Sequence, residues 1–191
     1  MTTLYKYDTF GKRFLAALVD GMVFLPFSLL SNRVEDSADK TMFLVLTFSY
    51  TICWTLYLVV GHGKYGQTIG KNLMGIKVLD IQEQNVIGYK RAFYREAVWF
   101  FAVVIGLIYF LNTQYNATMA NKDFSETYFN GYVRLTISMW FVLELVTMFF
   151  NKKRRALHDC IAGSVVLDLN EMKREDLQMR HEQLLTSIQS K

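Results

Sequence analysis

The sequence predicts an all-α membrane protein with four transmembrane helices and cytoplasmic interfacial helices, arranged as two parallel pseudo-repeats of two helices each. Three observations lead there. Two long stretches, Lys40 to Lys64 and Glu96 to Lys122, contain no formal charge between their ends. Of the 21 lysines and arginines, 17 fall in segments that would share one side of a bilayer. A motif recurs at an offset of 88 residues. The composition agrees: 52% apolar and 20% charged residues exclude a disordered chain, and two cysteines with one proline exclude a disulfide framework and a Pro-rich linker.

The first apolar run, Phe14 to Leu30, is interrupted by Asp20 and carries Pro26. Its charged start resembles a signal peptide, but an aspartate in the apolar region and the lack of an A-x-A-like site predict a retained helix. The second run, residues 41–60, matches the ~20 residues that cross ~30 Å of hydrocarbon and has no charged position for a water-facing side. The third, Ala97 to Leu111, is shorter but extends into uncharged flanks. The fourth, Tyr132 to Phe150, carries Arg134 near one end and Glu144 inside. Residues 1–168 would form the transmembrane domain and 169–191 a cytoplasmic tail, with Leu177, Leu184, Leu185 and Ile188 near helical spacing.

Basic residues are retained on the cytoplasmic side of membrane proteins. The N-terminal arm, the segment between the second and third runs and the C-terminal segment hold most of them, leaving Arg33, Lys40, Lys122 and Arg134 for the loops at 31–40 and 112–131. Both termini are therefore expected in the cytoplasm and the chain in a plasma (inner) membrane. The net charge of +4 reflects this topology rather than a nucleic-acid footprint.

In the repeat, TIGKNLMGIKVLD (Thr68 to Asp80) aligns without gaps on ALHDCIAGSVVLD (Ala156 to Asp168), matching Gly75 with Gly163 and Val78 with Val166. Each copy reads as a short interfacial helix, a glycine break and an extended V-L-D segment. Parallel halves of this kind are related by an axis along the membrane normal.

Three motifs resemble the RDD family of small membrane proteins: KRFLAALVD from Lys12 to Asp20, GQTIGK from Gly66 to Lys71 and RALHD from Arg155 to Asp159. The resemblance covers roughly residues 10 to 168. The arginine and two aspartates of the family name look like Arg13, Asp20 and Asp159. The resemblance implies an integral membrane protein, with ion transport proposed for some members.

Asp20 lies seven residues beyond Arg13, ~10 Å further into the hydrocarbon on nearly the same helix face. An aspartate at that depth costs ~2.5–3.5 kcal/mol on insertion scales, so it should face the bundle interior, with Arg13, Arg154 or Arg155 as candidate partners. Glu144 is seven residues before Asn151 and reaches a similar depth, where it meets Asp20 or answers Lys152 and Lys153. Two such carboxylates would form a proton or cation site. Arg13, Asp159, Arg154 and Arg155 are the expected structural or gating charges at the cytoplasmic mouth. The glycines at 61, 63, 66 and 70 surround Lys64 and Lys71 without the spacing of a phosphate-binding loop, and serve to turn the chain.

No enzyme is expected. His62, His158 and His181 lack metal-ligand spacing, no second cysteine accompanies Cys160, and no nucleophile motif appears. Neither a cofactor nor a metal is implied. The expected partners are the lipid bilayer, a second copy of the chain, because four helices enclose little space, and a protein at the cytoplasmic tail. The expected activity is proton-coupled or small-cation transport, with a non-catalytic membrane scaffold or accessory subunit as the alternative.

Overall fold

A computed structural model describes residues 2–35, 40–115, 135 and 138–189. A short 3-10 turn at Thr2–Tyr7 leads into helix α1 (Phe10–Glu35) and helix α2 (Lys40–Val60), which continues as a π turn through Gly61–Tyr65. Then follow α3 (Ile69–Leu73), β1 (Ile76–Asp80), α4 (Gly88–Tyr115), α5 (Ser138–Phe150), α6 (Leu157–Ala162), β2 (Ser164–Asp168) and α7 (Leu169–Gln189). The expected outer loop at 112–131 lies mostly outside the described residues, as do Lys122, Arg134 and the start of the fourth apolar run.

The four expected runs fall on α1, α2, α4 and α5. Among the described residues, one stretch is long and apolar enough to cross a bilayer by length and composition, Val45–Tyr65 in α2 and its π turn. The described part of the fourth run, Ser138–Phe150, is shorter. Helix α1 packs its aromatic side on α2, where Phe24 meets Trp54 at 4.9 Å and Tyr57 at 5.2 Å between ring centroids. It continues through Pro26 although the ring leaves the Met22 carbonyl without its helical partner.

Burial runs opposite to that of a water-soluble bundle. Phe14, Val45, Ile105 and Phe150 are exposed, whereas Asp20, His62, Arg95 and Asp159 are buried. Apolar side chains in broad contact with the surroundings and charges packed inside suit a lipid solvent.

The expected all-α class needs a correction, because β1 and β2 form a two-stranded antiparallel sheet. Residues of one strand alternate between faces, so Ile76 and Val78 join Val166, Ala16 and Ala92 in one cluster, while Leu79 joins Val165, Leu167 and Tyr7 in another. A two-stranded sheet by itself is marginal in water, and here both faces are covered. The cover on the second face is pinned by Glu83, which accepts from the Tyr7 hydroxyl at 2.5 Å and pairs with Lys6 at 3.0 Å and Lys153 at 2.8 Å. Burial of Glu83 works against its ionisation, but these donors outweigh it and hold its pKa down at about 2.

The sheet register centres on Val78 opposite Val166, the same residues that the repeat aligns. Helices α3 and α6 both end at a glycine in the left-handed region just before their strands, Gly75 with φ of 66° and Gly163 with φ of 62°. Locally, therefore, the two motif copies are related by a half-turn.

Helix α3 lies against α1 so closely that Gly70 has no room for a side chain. A Cβ there would sit 2.1 Å from the Ala16 carbonyl oxygen. Gly70→Ala is expected to destabilise the protein by ~1–3 kcal/mol or more through overpacking. Gly21→Ala, where a Cβ meets nothing within 4 Å, should be neutral or slightly stabilising. Thermal unfolding of the two variants in the same detergent checks the contrast.

Candidate functional site

The most buried charge is Asp159. It occupies the first turn of α6 and its Oδ2 accepts the Ala156 amide at 3.2 Å, satisfying one of the free N–H groups at that helix start. Two guanidinium groups close on it from distant parts of the chain, Arg13 Nη1 at 2.6 Å from Oδ2 and Arg95 Nη1 at 2.7 Å from Oδ1. The Ser164 hydroxyl donates to Oδ1 at 3.1 Å. Burial pushes this carboxyl's pKa up, but Arg95 and Arg13 overcome it and hold it well below the usual carboxylate range. Arg13 is itself oriented by Thr9 Oγ1 at 2.9 Å and by the Arg154 carbonyl at 3.2 Å.

Asp20 takes a different set of partners. Its Oδ1 accepts from the Tyr57 hydroxyl at 2.6 Å and the Gly70 amide at 2.8 Å, and its Oδ2 from the Thr68 hydroxyl at 2.6 Å. All three donors are neutral. The carboxylate sits at the start of α3, where unpaired amides and the helix dipole favour an anion. α6 supplies the matching carboxylate from within itself, as Asp159; α3 borrows one from α1.

Glu144, on α5, meets α6 instead of α1. Its Oε1 accepts the His158 amide at 3.3 Å and its Oε2 lies 2.7 Å from His158 Nδ1. The other ring nitrogen, Nε2, is 2.8 Å from Arg95 Nη2. A guanidinium only donates, so Nε2 accepts and the ring proton is assigned to Nδ1, facing Glu144.

A third group is formed by the π turn, α3 and α4. His62 is buried between Lys71, whose Nζ contacts its Nε2, and Glu96, whose Oε1 is 3.3 Å from its Nδ1. That Nδ1 is not aligned for a hydrogen bond, and among the described residues it has no other partner. Loss of water around Lys71 lowers its pKa to about 7, with Arg95 adding to the fall and Glu96 and Asp159 opposing it.

These groups surround one cavity of about 240 Å³. Arg13, Asp20, His62, Lys71, Arg95, Glu96 and His158 supply its polar lining, and Ala17, Trp54, Leu58 and Trp99 its apolar walls. Counting Asp159 and Glu144, which are bonded directly to the lining, the cluster holds four carboxylates against the guanidinium groups of Arg13 and Arg95 and the Lys71 amine. No group of three or more His, Cys, Asp or Glu suited to a metal ion occurs among the described residues.

The structure thus separates Asp20 and Glu144 into different hydrogen-bond sets, Asp20 with the start of α3 and Glu144 with His158. The cations expected near Asp20 are engaged elsewhere. Arg13 is on Asp159, Arg154 lies 3.7 Å from the exposed Asp8, and Arg155 donates to the backbone carbonyls of Ser164 and Asp159 at 2.8 and 3.0 Å. Lys153 goes to Glu83 rather than Glu144. Sequence reasoning missed His62, Arg95, Glu96 and the role of Lys71. The available signal was weak: an Arg-Glu pair at the mouth of an apolar run, and a histidine between two glycines small enough to let it turn inward.

A model described as the RDD family matches residues 7–163. No curated protein and no solved structure matches the chain.

Removing the charge at Asp159 takes the close carboxylate from the half-buried Arg13 and leaves the buried Arg95 only the more distant Glu96, so Asp159→Asn should cost ~3–5 kcal/mol in chemical unfolding of the detergent-solubilised protein. The expected cost of Asp20→Asn is smaller, ~1.5–3 kcal/mol, because hydrogen bonds from neutral donors are weakened rather than an ion pair broken. Lys71 supplies a pH signature. Below about pH 7 both folded and unfolded chains carry its charge, whereas between about 7 and its ordinary 10.5 only the unfolded chain keeps the proton. Stability relative to Lys71→Met should therefore rise across that window, by up to ~1.4 kcal/mol per pH unit, and stay level below it. Unfolding midpoints of both proteins at pH 6, 8 and 10 check the sign.

Proposed function

The chain belongs to the RDD family and is an integral membrane protein; from that premise we propose that it moves protons or small cations across the membrane through its helix bundle. On this reading α1, α2, α4 and α5 carry the four spans, the two motif copies mark parallel halves, and both termini face the cytoplasm of a plasma (inner) membrane. The cavity then lies at the cytoplasmic end of the bundle, on the side that holds 17 of the 21 basic residues.

The observation that carries the reading is the charge balance around the cavity. With both histidines neutral and Lys71 charged, three cations face four carboxylates, which leaves one negative charge without a counter-charge. An unanswered charge is costly away from water, so the cluster favours one added monovalent cation or proton. Glu96 and Glu144 are the carboxylates with access to that exchange, and Asp20, saturated by three neutral donors, stands with Arg13 and Asp159 in the rigid frame beside it. A second copy of the chain would provide the space that four helices lack for a continuous path.

One observation favours a second reading, a non-transporting membrane scaffold or accessory subunit: Arg13, Asp20 and Asp159 spend their charges on holding helices together. The two readings part in purified protein reconstituted into liposomes under imposed pH and Na⁺ or K⁺ gradients. Transport predicts dissipation of a gradient well above that of empty vesicles, slowed at least ~10-fold, or by 1.4 kcal/mol in barrier terms, in Glu96→Gln and Glu144→Gln. Wild-type vesicles no leakier than empty ones would leave the scaffold reading standing.

A further inference from the structure

We propose that Lys71 and His62, oriented by Glu96, form the proton-binding site of the cavity and share one proton between the lysine Nζ and the imidazole Nε2. The inference rests on the transport reading only for what the proton is used for; the site itself stands on geometry. Three elements converge to build it: the π turn brings His62 inward, α3 supplies Lys71 and α4 supplies Glu96. π turns are rare and frequently lie at functional sites.

The contact between Nζ and Nε2 has a fixed logic. A charged amine has three hydrogens and no lone pair, so the imidazole nitrogen must accept. The proton can then pass along that contact: the Nζ–H bond breaks as the Nε2–H bond forms, leaving a neutral amine and an imidazolium whose Nδ1–H faces Glu96 Oε1. Total charge is unchanged, and the positive charge has moved toward the carboxylate. A proton given up to cavity water from either position leaves a neutral amine beside a neutral ring.

Two features separate this group from the purely structural charges around it. Asp159 and Asp20 each accept three or more hydrogen bonds, whereas the buried His62 ring keeps Nδ1 without an aligned partner. Most buried side-chain polar atoms are hydrogen-bonded, so the open Nδ1 sets this ring apart from the saturated charges around it. The second feature is the balance of charges facing the pair. Arg13 and Arg95 disfavour a proton there, Glu96 and Asp159 favour it, and Asp20 and His158 complete the lining. Loss of water and Arg95 together bring Lys71 down to about 7, where a proton is gained and lost within the range of cytoplasmic pH.

The test is a titration of the full-length protein in lipid nanodiscs with ¹³C,¹⁵N-labelled lysine and histidine. The Lys71 signal is identified by its loss in Lys71→Arg. The expected midpoint lies within about one unit of pH 7, the His62 ring nitrogens move with the same midpoint, and Glu96→Gln lowers that midpoint by at least one unit. A Lys71 that stays charged to pH 9, or a His62 ring silent while Lys71 titrates, overturns the assignment. Should Glu96→Gln fail to fold, the wild-type titration decides by itself. A near-neutral midpoint in protein that carries no flux upholds the shared-proton site and overturns the transport reading; flux with Lys71 charged to pH 9 does the reverse.

Discussion

A carboxylate stripped of water must be answered wherever the chain allows, and at Asp159 the answer comes from two guanidinium groups 146 and 64 residues away in the chain. Neither guanidinium can shed its proton, so the charges cannot be relieved by titration and only geometry can satisfy them. That requirement ties α1 to α6 and α6 to α4. It also sets the position of β2, because Ser164 completes the coordination and Arg155 caps the turn between α6 and the strand. The sheet and the arm packed on it follow from where this group sits.

The two motif copies meet the same local problem by different means. Each short helix exposes unpaired amides at its start, and each needs an anion there. α6 carries Asp159 within its own first turn, and α3 takes Asp20 from α1. Asp20 can reach because Gly70 lets the two backbones come into contact. Asp20 and Asp159 therefore do equivalent work in the two motif copies, each satisfying the start of a short helix, although one is local and the other is donated. Antiparallel pairing about Val78 and Val166 then joins the two motif copies.

Charges in this protein divide into those that are saturated and those that keep some freedom. Arg13, Asp159 and Asp20 belong to the first kind, with every strong partner in place. Lys71, His62 and Glu96 belong to the second, and they share a cavity with the first. On this division Arg95 is the hinge between both sets, touching Asp159, His158 and Glu96 at 2.7, 2.8 and 3.8 Å.

Much of this protein was legible in the order of its residues. Charge-free runs and basic asymmetry pointed to a membrane, because hydrocarbon tolerates no unpaired polar group and leaves that demand written in composition. Spacing singled out Asp20 and Glu144 as acids within apolar runs, and motif resemblance singled out Arg13 and Asp159. It could not say that Arg13 would choose Asp159 rather than Asp20, or that Glu144 would find His158 instead of the other acid. The V-L-D segments read as extended, yet their pairing into a sheet depends on two strands far apart in sequence meeting. Nor could spacing reveal the group of His62, Lys71 and Glu96, since the three sit on separate elements whose packing no periodicity records. Hydrophobic pattern is a property of each segment by itself, and so it survives in the sequence. Which charge neutralises which is a property of the space between segments, and it exists only once they have packed.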